Sequence, residues 1–203
     1  MLRILTPPSG YHLTTVSRVR EELRLGDEPQ DAVIKDWIGD ASRSISDYCE
    51  RVFGRQLVEE RMDLRDHGES VIRLRMMPAV VEQVTFAGQA LSDTDWYYND
   101  EGGLCRLVDG EPVPWPWRYL TVRYRSGWRL PGEAERDLPE NVEAACLQLV
   151  ASRYHGGGRD PRLRSETVEG VGSTSWTDYR AGAGGMPQNI AEKLARYVRY
   201  TVA

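Results

Sequence analysis

The sequence predicts an α+β fold: an N-terminal helix pair with a long amphipathic second helix, a small antiparallel β-sheet in the middle, a third helix, an extended arm and a short C-terminal helix. Three observations carry this reading. Apolar residues recur every three or four positions from Ala32 to Phe53, and again from Pro139 to Tyr154, the period of a helix with one buried face. Between Leu57 and Ser126 the period shortens to two, as in strands buried on one side. The stretch from Gly157 to Pro187 follows neither period and is rich in Gly, Ser and Thr.

Each element has its own justification. TTVSRVREELRL reads as a helix over 15–24 with Thr15 as N-cap, because its hydroxyl can accept from an orphan backbone N–H. Val16, Val19 and Leu23 then share one face. Gly26 and Pro29 interrupt the helix, and Asp31 can cap the next one. That second helix, over 32–53, has its apolar positions at Val33, Ile34, Trp37, Ile38, Ala41, Ile45, Tyr48, Cys49, Val52 and Phe53, while Lys35, Asp36, Asp40, Arg43, Asp47 and Glu50 face water. Strands follow around Met62 and Leu64, at Ile72, Leu74 and Met76, and from Val80 to Phe86. WYYNDEGGLCRLV reads as a hairpin whose NDEGG supplies residues tolerant of positive φ. Leu120, Val122 and Tyr124 alternate in a last strand, which completes a β region over 57–126. LPENVEAACLQLVASRY forms a helix over 139–154, with Val142, Ala145, Cys146, Leu149 and Val150 as its buried stripe. PQNIAEKLARYVRY begins a final helix over 188–203, with Ile190, Leu194 and Tyr197 or Val198 on one side. The organisation is therefore a core over 1–156, an arm over 157–187 and the C-terminal helix.

Bulk composition narrows the function. A chain of 203 residues with 40% hydrophobic content and six tryptophans can bury a core without staples. No apolar run approaches the roughly 20 residues of a membrane helix, and MLRILTPPSG is too short and proline-rich for a signal peptide. A soluble protein that stays inside the producing cell is expected. Cys49, Cys105 and Cys146 are widely separated and form no CxxC pair, so they read as small buried hydrophobes. Net charge is −5; residues 57–138 carry 10 basic against 15 acidic groups, and no segment is basic enough to grip phosphates tightly.

Catalytic and cofactor chemistry finds no support. GAGGMPQN places glycines ahead of a helix but lacks the lysine and Ser/Thr of a P-loop. In DTDWYYNDE, Trp96 and Tyr97 fill positions that a calcium loop keeps small or ligating. Nothing places His12, His67 or His155 beside a nucleophile or beside one another. The expectation is no enzyme, no cofactor and no metal. The tryptophans admit two readings. Trp115 and Trp117 lie between prolines, and Trp128 follows a strand-ending glycine. They are either interface anchors on stiff loops or a cover over one end of the sheet.

The order of landmarks resembles the head–tail connector (adaptor, or head-completion) proteins of long-tailed bacteriophages and related gene-transfer particles. T-x-x-x-V-R-x-x-L at Thr15 to Leu23 resembles that family's opening helix, and Asp31, Ile38, Ala41, Ile45, Tyr48, Arg51 and Phe53 fall where its next helix has them. LRMMPAVVEQVTFAGQAL, LTVRYRSGW, LPENVEAACLQLVASRY and SETVEGVGSTSWTDY follow in the family's order. Arg18 departs from it, standing where a capping acid is common, and the loops at VDGEPVPWPW and RLPGEAERD are longer.

The resemblance implies a structural virion protein. About a dozen copies would form a ring between the portal at the capsid vertex and a tail-side connector or terminator, with a channel for DNA. The expected location is the virion's head–tail neck, and the host cytoplasm during assembly. The chain's acidic balance agrees with a channel that lets DNA pass without sequence-specific binding. On this reading the arm orders against a neighbouring subunit or the portal, through Arg159, Arg162, Arg164, Val168, Val171, Trp176 and Tyr179, with Tyr197 beside it. Trp115, Trp117 and Trp128 would face the tail side or a neighbour. Three other readings stand beside this one. The arm could be a surface loop packed on its own subunit. The first two helices could mimic a helix-turn-helix regulator, although the second mixes Asp36, Asp40, Asp47 and Glu50 with Lys35, Arg43 and Arg51 on its exposed face. The chain could also be another ring component, such as a tail-side closure protein.

Overall fold

A computed structural model describes residues 1–64, 70–99, 101–116, 118–156, 165–168, 172–175 and 186–199. The fold is α+β, and its contacts group the chain into two compact units. One comprises Met1–Gly10 and Gly54–Arg129; the other comprises Tyr11–Phe53 and Leu130–Ala203. The core expected over 1–156 draws on both.

The second unit holds the helices. In α1 (Val16–Leu23), Thr15 is the N-cap: its backbone is extended and its Oγ1 accepts from Arg18 N at 3.2 Å. Arg24 ends the helix at φ 52°, and Leu25 N returns to Arg20 O at 3.0 Å. The second helix, α2 (Asp31–Tyr48), has Gln30 rather than Asp31 at its cap. Arg20 is the reason. Its guanidinium donates to Asp31 Oδ1 at 2.8 and 3.0 Å and to Pro29 O at 2.8 Å, so the carboxylate pins the α1–α2 turn instead of capping the helix. Asp31 still lies in the first turn, where the helix dipole favours an anion.

Helix α2 buries Ile34, Ile38, Ala41 and Ile45 as its periodicity predicts, and Ser42 with them, whereas Val33 is exposed and Trp37 and Tyr48 are half-buried, because the apolar band is wider than the buried stripe. It stops five residues short of Phe53, because Glu50 adopts φ 50° and turns the chain out of the helix. Cys49 and Phe53 are nonetheless buried beyond the helix end. Helix α3 (Glu140–Gly156) buries Val142, Ala145, Cys146 and Val150 as predicted, with Leu147 in place of Leu149, and also Glu143. The last helix, α4 (Gln188–Leu194), tightens into a 3-10 turn at Ala195–Tyr197. The helix expected to run on from there gives way to extended backbone at Val198, where Arg199 N donates to Cys49 O at 3.0 Å.

The first unit is all β, and it contains two sheets where the sequence predicts one. The strands are β1 (Leu2–Thr6), β2 (Gln56–Asp63), β3 (Val71–Arg73), β4 (Ala79–Phe86), β5 (Gln89–Ala90), β6 (Trp96–Tyr98), β7 (Gly103–Val108), β8 (Glu111–Val113) and β9 (Tyr119–Ser126). A five-stranded antiparallel sheet runs β1-β2-β9-β4-β5, and a four-stranded one runs β3-β7-β6 with β8 paired to β7. The predicted hairpin is β6–β7, with Tyr97 opposite Cys105 and Gly102 at φ 81° in its turn. Asp109 and Gly110, at φ 52° and 82°, close a second hairpin onto β8.

The central strand β9 alternates as predicted: Leu120, Val122 and Tyr124 are fully buried while Arg123 and Arg125 are exposed. Its register sets Val122 opposite Glu60 on one side and Val84 on the other. Val58, Val84, Leu120, Val122 and Tyr124 meet Ile72, Leu74, Leu104 and Trp115 in one core. Each such side chain contributes on the order of 1.5–3 kcal/mol through burial. Two further strands, β10 (Ser165–Val168) and β11 (Gly172–Ser175), pair antiparallel within the stretch expected as the arm.

Candidate functional site

Among the described residues, no three His, Cys, Asp or Glu side chains converge as a metal site would require, and no helix is long and apolar enough to cross a membrane. The buried polar groups are instead built into the packing. Glu60 is 1% exposed; it accepts from the Tyr124 hydroxyl at 2.9 Å and from Arg75 N at 3.1 Å, and pairs with Arg75 Nε at 3.1 Å. Burial, and then the neighbouring Glu60 carboxylate, push the Tyr124 phenol above its ordinary value, so it stays a donor. In the helical unit Glu143 accepts from Thr14 Oγ1 at 3.1 Å and pairs with Arg136 Nη1 at 2.7 Å. Through these contacts both carboxylates hold loops to secondary structure, an arrangement in which the role of each is to fix the packing around it.

Two open grooves lie at the surface. One, of about 550 Å³, crosses the outer face of the five-stranded sheet, where the Arg61 guanidinium stacks 4.6 Å from the Tyr119 ring and Thr85, Arg118 and Thr121 complete the lining. The other, of about 230 Å³, lies beside Thr15, Arg18, Arg136 and Glu143. Both are open to solvent and lined in part by charged side chains, unlike the enclosed apolar cavities that hold small ligands.

The sequence-predicted anchors fall in three groups. Trp115 is fully buried: its indole N–H donates to Leu104 O at 3.1 Å and its ring lies 5.8 Å from Phe86. Of the two readings open for it, the subunit takes the core one, because β8 carries the chain back under the sheet. Tyr197 is 7% exposed and packs edge-on against Phe53 at 6.3 Å, so it too is a core side chain here. Trp128 is half-buried, and its backbone carbonyl accepts from Arg55 N at 2.8 Å. Val168 ends β10, opposite Gly172. Arg159, Arg162, Arg164, Val171, Trp176, Tyr179 and Trp117 lie outside the described residues. Sequence reasoning passed over the exposed apolar side chains on strands, above all Ile4 at 49% and Val80 at 58%. The signal was present in LRILT and AVVEQ, as apolar residues on both faces of a strand.

Residues 13–86, from the lead into α1 through β4, match the phage gp6-like head-tail connector protein family. The matched segment is less than half of the chain, and what it shows is a similarity to that family. The segment contains the opening helix, the long second helix and the LRMMPAVVEQVTF strand region on which the resemblance first rested. No curated protein sequence matches the chain. In solved structures the fold recurs over the whole length of the chain. A chain in the neck of an empty gene transfer agent particle, computed with C6 symmetry, is 18% identical with a TM-score of 0.52, covering 100% of this chain and 97% of that one. A chain in the virion of the native gene transfer agent particle is 18% identical at 0.51, and one in the native neck computed with C12 symmetry is 16% identical at 0.50, with the same coverage. At these identities the likeness is one of fold.

Proposed function

We propose that the chain is a structural subunit of the head–tail neck of a phage-like particle, assembling with further copies into a ring of about twelve. The observation that carries this reading is the connector-family match over residues 13–86. The fold it shares with chains of gene transfer agent necks, over nearly the full length of both, supports it. In this role one face of the ring sits under the portal and the other receives a tail-side connector or terminator. DNA passes through the channel held by shape rather than by sequence. A net charge of −5 suits that passage, since a lining rich in phosphate-gripping cations would retard the DNA.

A heterologous contact repeated around a closed rotation gives such a ring, and it requires two different surfaces on each subunit. The stretch 157–187 is proposed as one contributor, with Arg159, Arg162 and Arg164 pairing with acidic surfaces of a neighbour or the portal. Trp176 and Tyr179 would serve there as apolar anchors. Trp128, half-buried in the subunit, is the tryptophan proposed for the tail side.

Negative-stain imaging of the purified protein, alone and mixed with the particle's portal, tests the reading. Closed rings with a channel wide enough for duplex DNA are expected in one or both samples. Dispersed single subunits in both would overturn it.

A further inference from the structure

The five-stranded sheet ends in two open edges of matching length. On one side β1 pairs only with β2, so the outer edge of Leu2–Thr6 has no backbone partner among the described residues. On the other side β5 covers β4 only at Thr85 and Phe86, with Leu91 N closing on Val84 O. The edge of β4 from Ala79 to Gln83 is left without a partner among the described residues. Unpaired strand edges are templates for another strand, and monomeric proteins blunt them with lysine, proline or a covering element. Neither LRILT nor AVVEQ contains a lysine or proline.

The exposure of the two edges supports pairing. After Met1, Val80 and Ile4 are the most exposed aliphatic residues among the described ones, at 58% and 49%; the register sets Ile4 on the face of Val58 and Tyr124, and Val80 with Arg3 on the other. One charge lies on each edge, Arg3 on β1 and Glu82 on β4, and the two are opposite in sign. Each strand has a single register irregularity, between Ile4 and Thr6 and between Val81 and Gln83. The regular portions are therefore 2–4 and 79–81, and these contain Ile4 and Val80. A bulge ends flat pairing, so it limits how far an incoming strand can extend and fixes where it sits.

From these features we propose that β1 of one subunit adds to the Ala79–Gln83 edge of β4 in a second copy, making a sheet that continues from subunit to subunit. The inference rests on the ring reading above and names a face by which the ring would close. Because the two edges differ, the contact is head-to-tail and can propagate around a rotation, whereas β1 against β1 would stop at a dimer.

Cysteine cross-linking in the full-length chain tests it, using Arg3→Cys, Val80→Cys and the double variant, whose two positions share one face of the sheet, a short bismaleimide at pH 7, and native mass spectrometry to size the oligomer. Within one chain, Arg3 and Val80 are separated by three strand spacings, about 14 Å, beyond the reach of a short reagent. Native Cys49, Cys105 and Cys146 are buried and contribute little background. The double variant is expected to give a ladder of covalent multimers, while each single variant stays monomeric on a denaturing gel. Ile4→Lys or Val80→Lys should raise the concentration for half-assembly at least tenfold and leave thermal unfolding of the subunit unchanged.

Covalent dimers from Arg3→Cys alone would overturn the head-to-tail edge. An intact oligomer with no ladder, and with the lysine variants assembling normally, would also overturn it while leaving the ring reading standing. Protein that is monomeric at every concentration and absent from assembled particles would remove both.

Discussion

Replacing Trp115 by alanine separates a core residue from a surface anchor, because the two roles predict opposite results. The indole is fully buried, packs against Phe86 and donates to Leu104 O at 3.1 Å. Truncating such a side chain removes its transfer free energy and leaves a void, at a cost of about 3–5 kcal/mol. The lost hydrogen bond is part of that figure, on the order of 1 kcal/mol, since Leu104 O then stays buried with one fewer donor. Against a total stability of about 5–15 kcal/mol, this is a third or more of what holds a domain together. With a urea m-value of about 2 kcal/mol per molar, the midpoint for the β unit falls by about 2 M. The assay is urea unfolding followed by hydrogen exchange at β7 and β9, so that the signal belongs to this unit and not to the helices. Trp115→Phe should lie between wild type and alanine, since it keeps most of the apolar volume but not the donor. A loss below about 1 kcal/mol, with β7 amides still protected while assembly fails, would refute the core assignment and return Trp115 to an interface.

Two further expectations concern the helical unit. Thr15→Ala removes the hydroxyl that accepts from Arg18 N and should cost about 1 kcal/mol in urea unfolding, whereas Thr15→Ser should be near neutral; equal losses for both would show that the cap contributes nothing. Burial pushes the Cys49 thiol up from its ordinary 9.0 to about 11 and that of Cys146 to about 12. In the unfolded chain both ionise near 9 while the folded protein keeps them neutral. Their contribution is therefore present below pH 9 and is lost as pH rises through 11 to 12. Cys49→Ala with Cys146→Ala should flatten the alkaline arm of the stability profile, and native Cys49 and Cys146 should resist a thiol reagent at pH 8. Reaction as fast as in the unfolded chain would contradict their burial.

The helices were legible because their information is local. Ile34, Ile38, Ala41 and Ile45 lie on one stripe by spacing alone, and a hydroxyl ahead of VSRVREEL is an N-cap whatever the rest of the chain does. Helix ends were less legible, because competing partners decide them. Asp31 could have capped α2 until Arg20 claimed it from the previous helix, and no periodicity marks the positive φ at Glu50 that ends the helix before Val52 and Phe53. The alternation of β9 was readable for the same local reason, as was the hairpin at NDEGG.

Pairing was not legible, and it governs everything else in the β unit. Nothing in MLRILTPP says that Leu2–Thr6 will lie against Val58–Glu60, more than fifty residues away, and so the first strand escaped notice. Alternation shows which side chains of a strand share a face but not which strand lies alongside, so one sheet was expected where two share a core. Glu60 falls on the inward face with Val58, where a charge is costly, and it is tolerated only because the fold brings Tyr124 and Arg75 to it. Sequence by itself determined the fold class, the helical stripes, the central strand and the resemblance to the connector family. Tertiary structure alone decided that Trp115 and Tyr197 belong to cores and that β1 and β4 present open edges. Burial and strand pairing are settled by groups remote in the chain, whose meeting has no local signature.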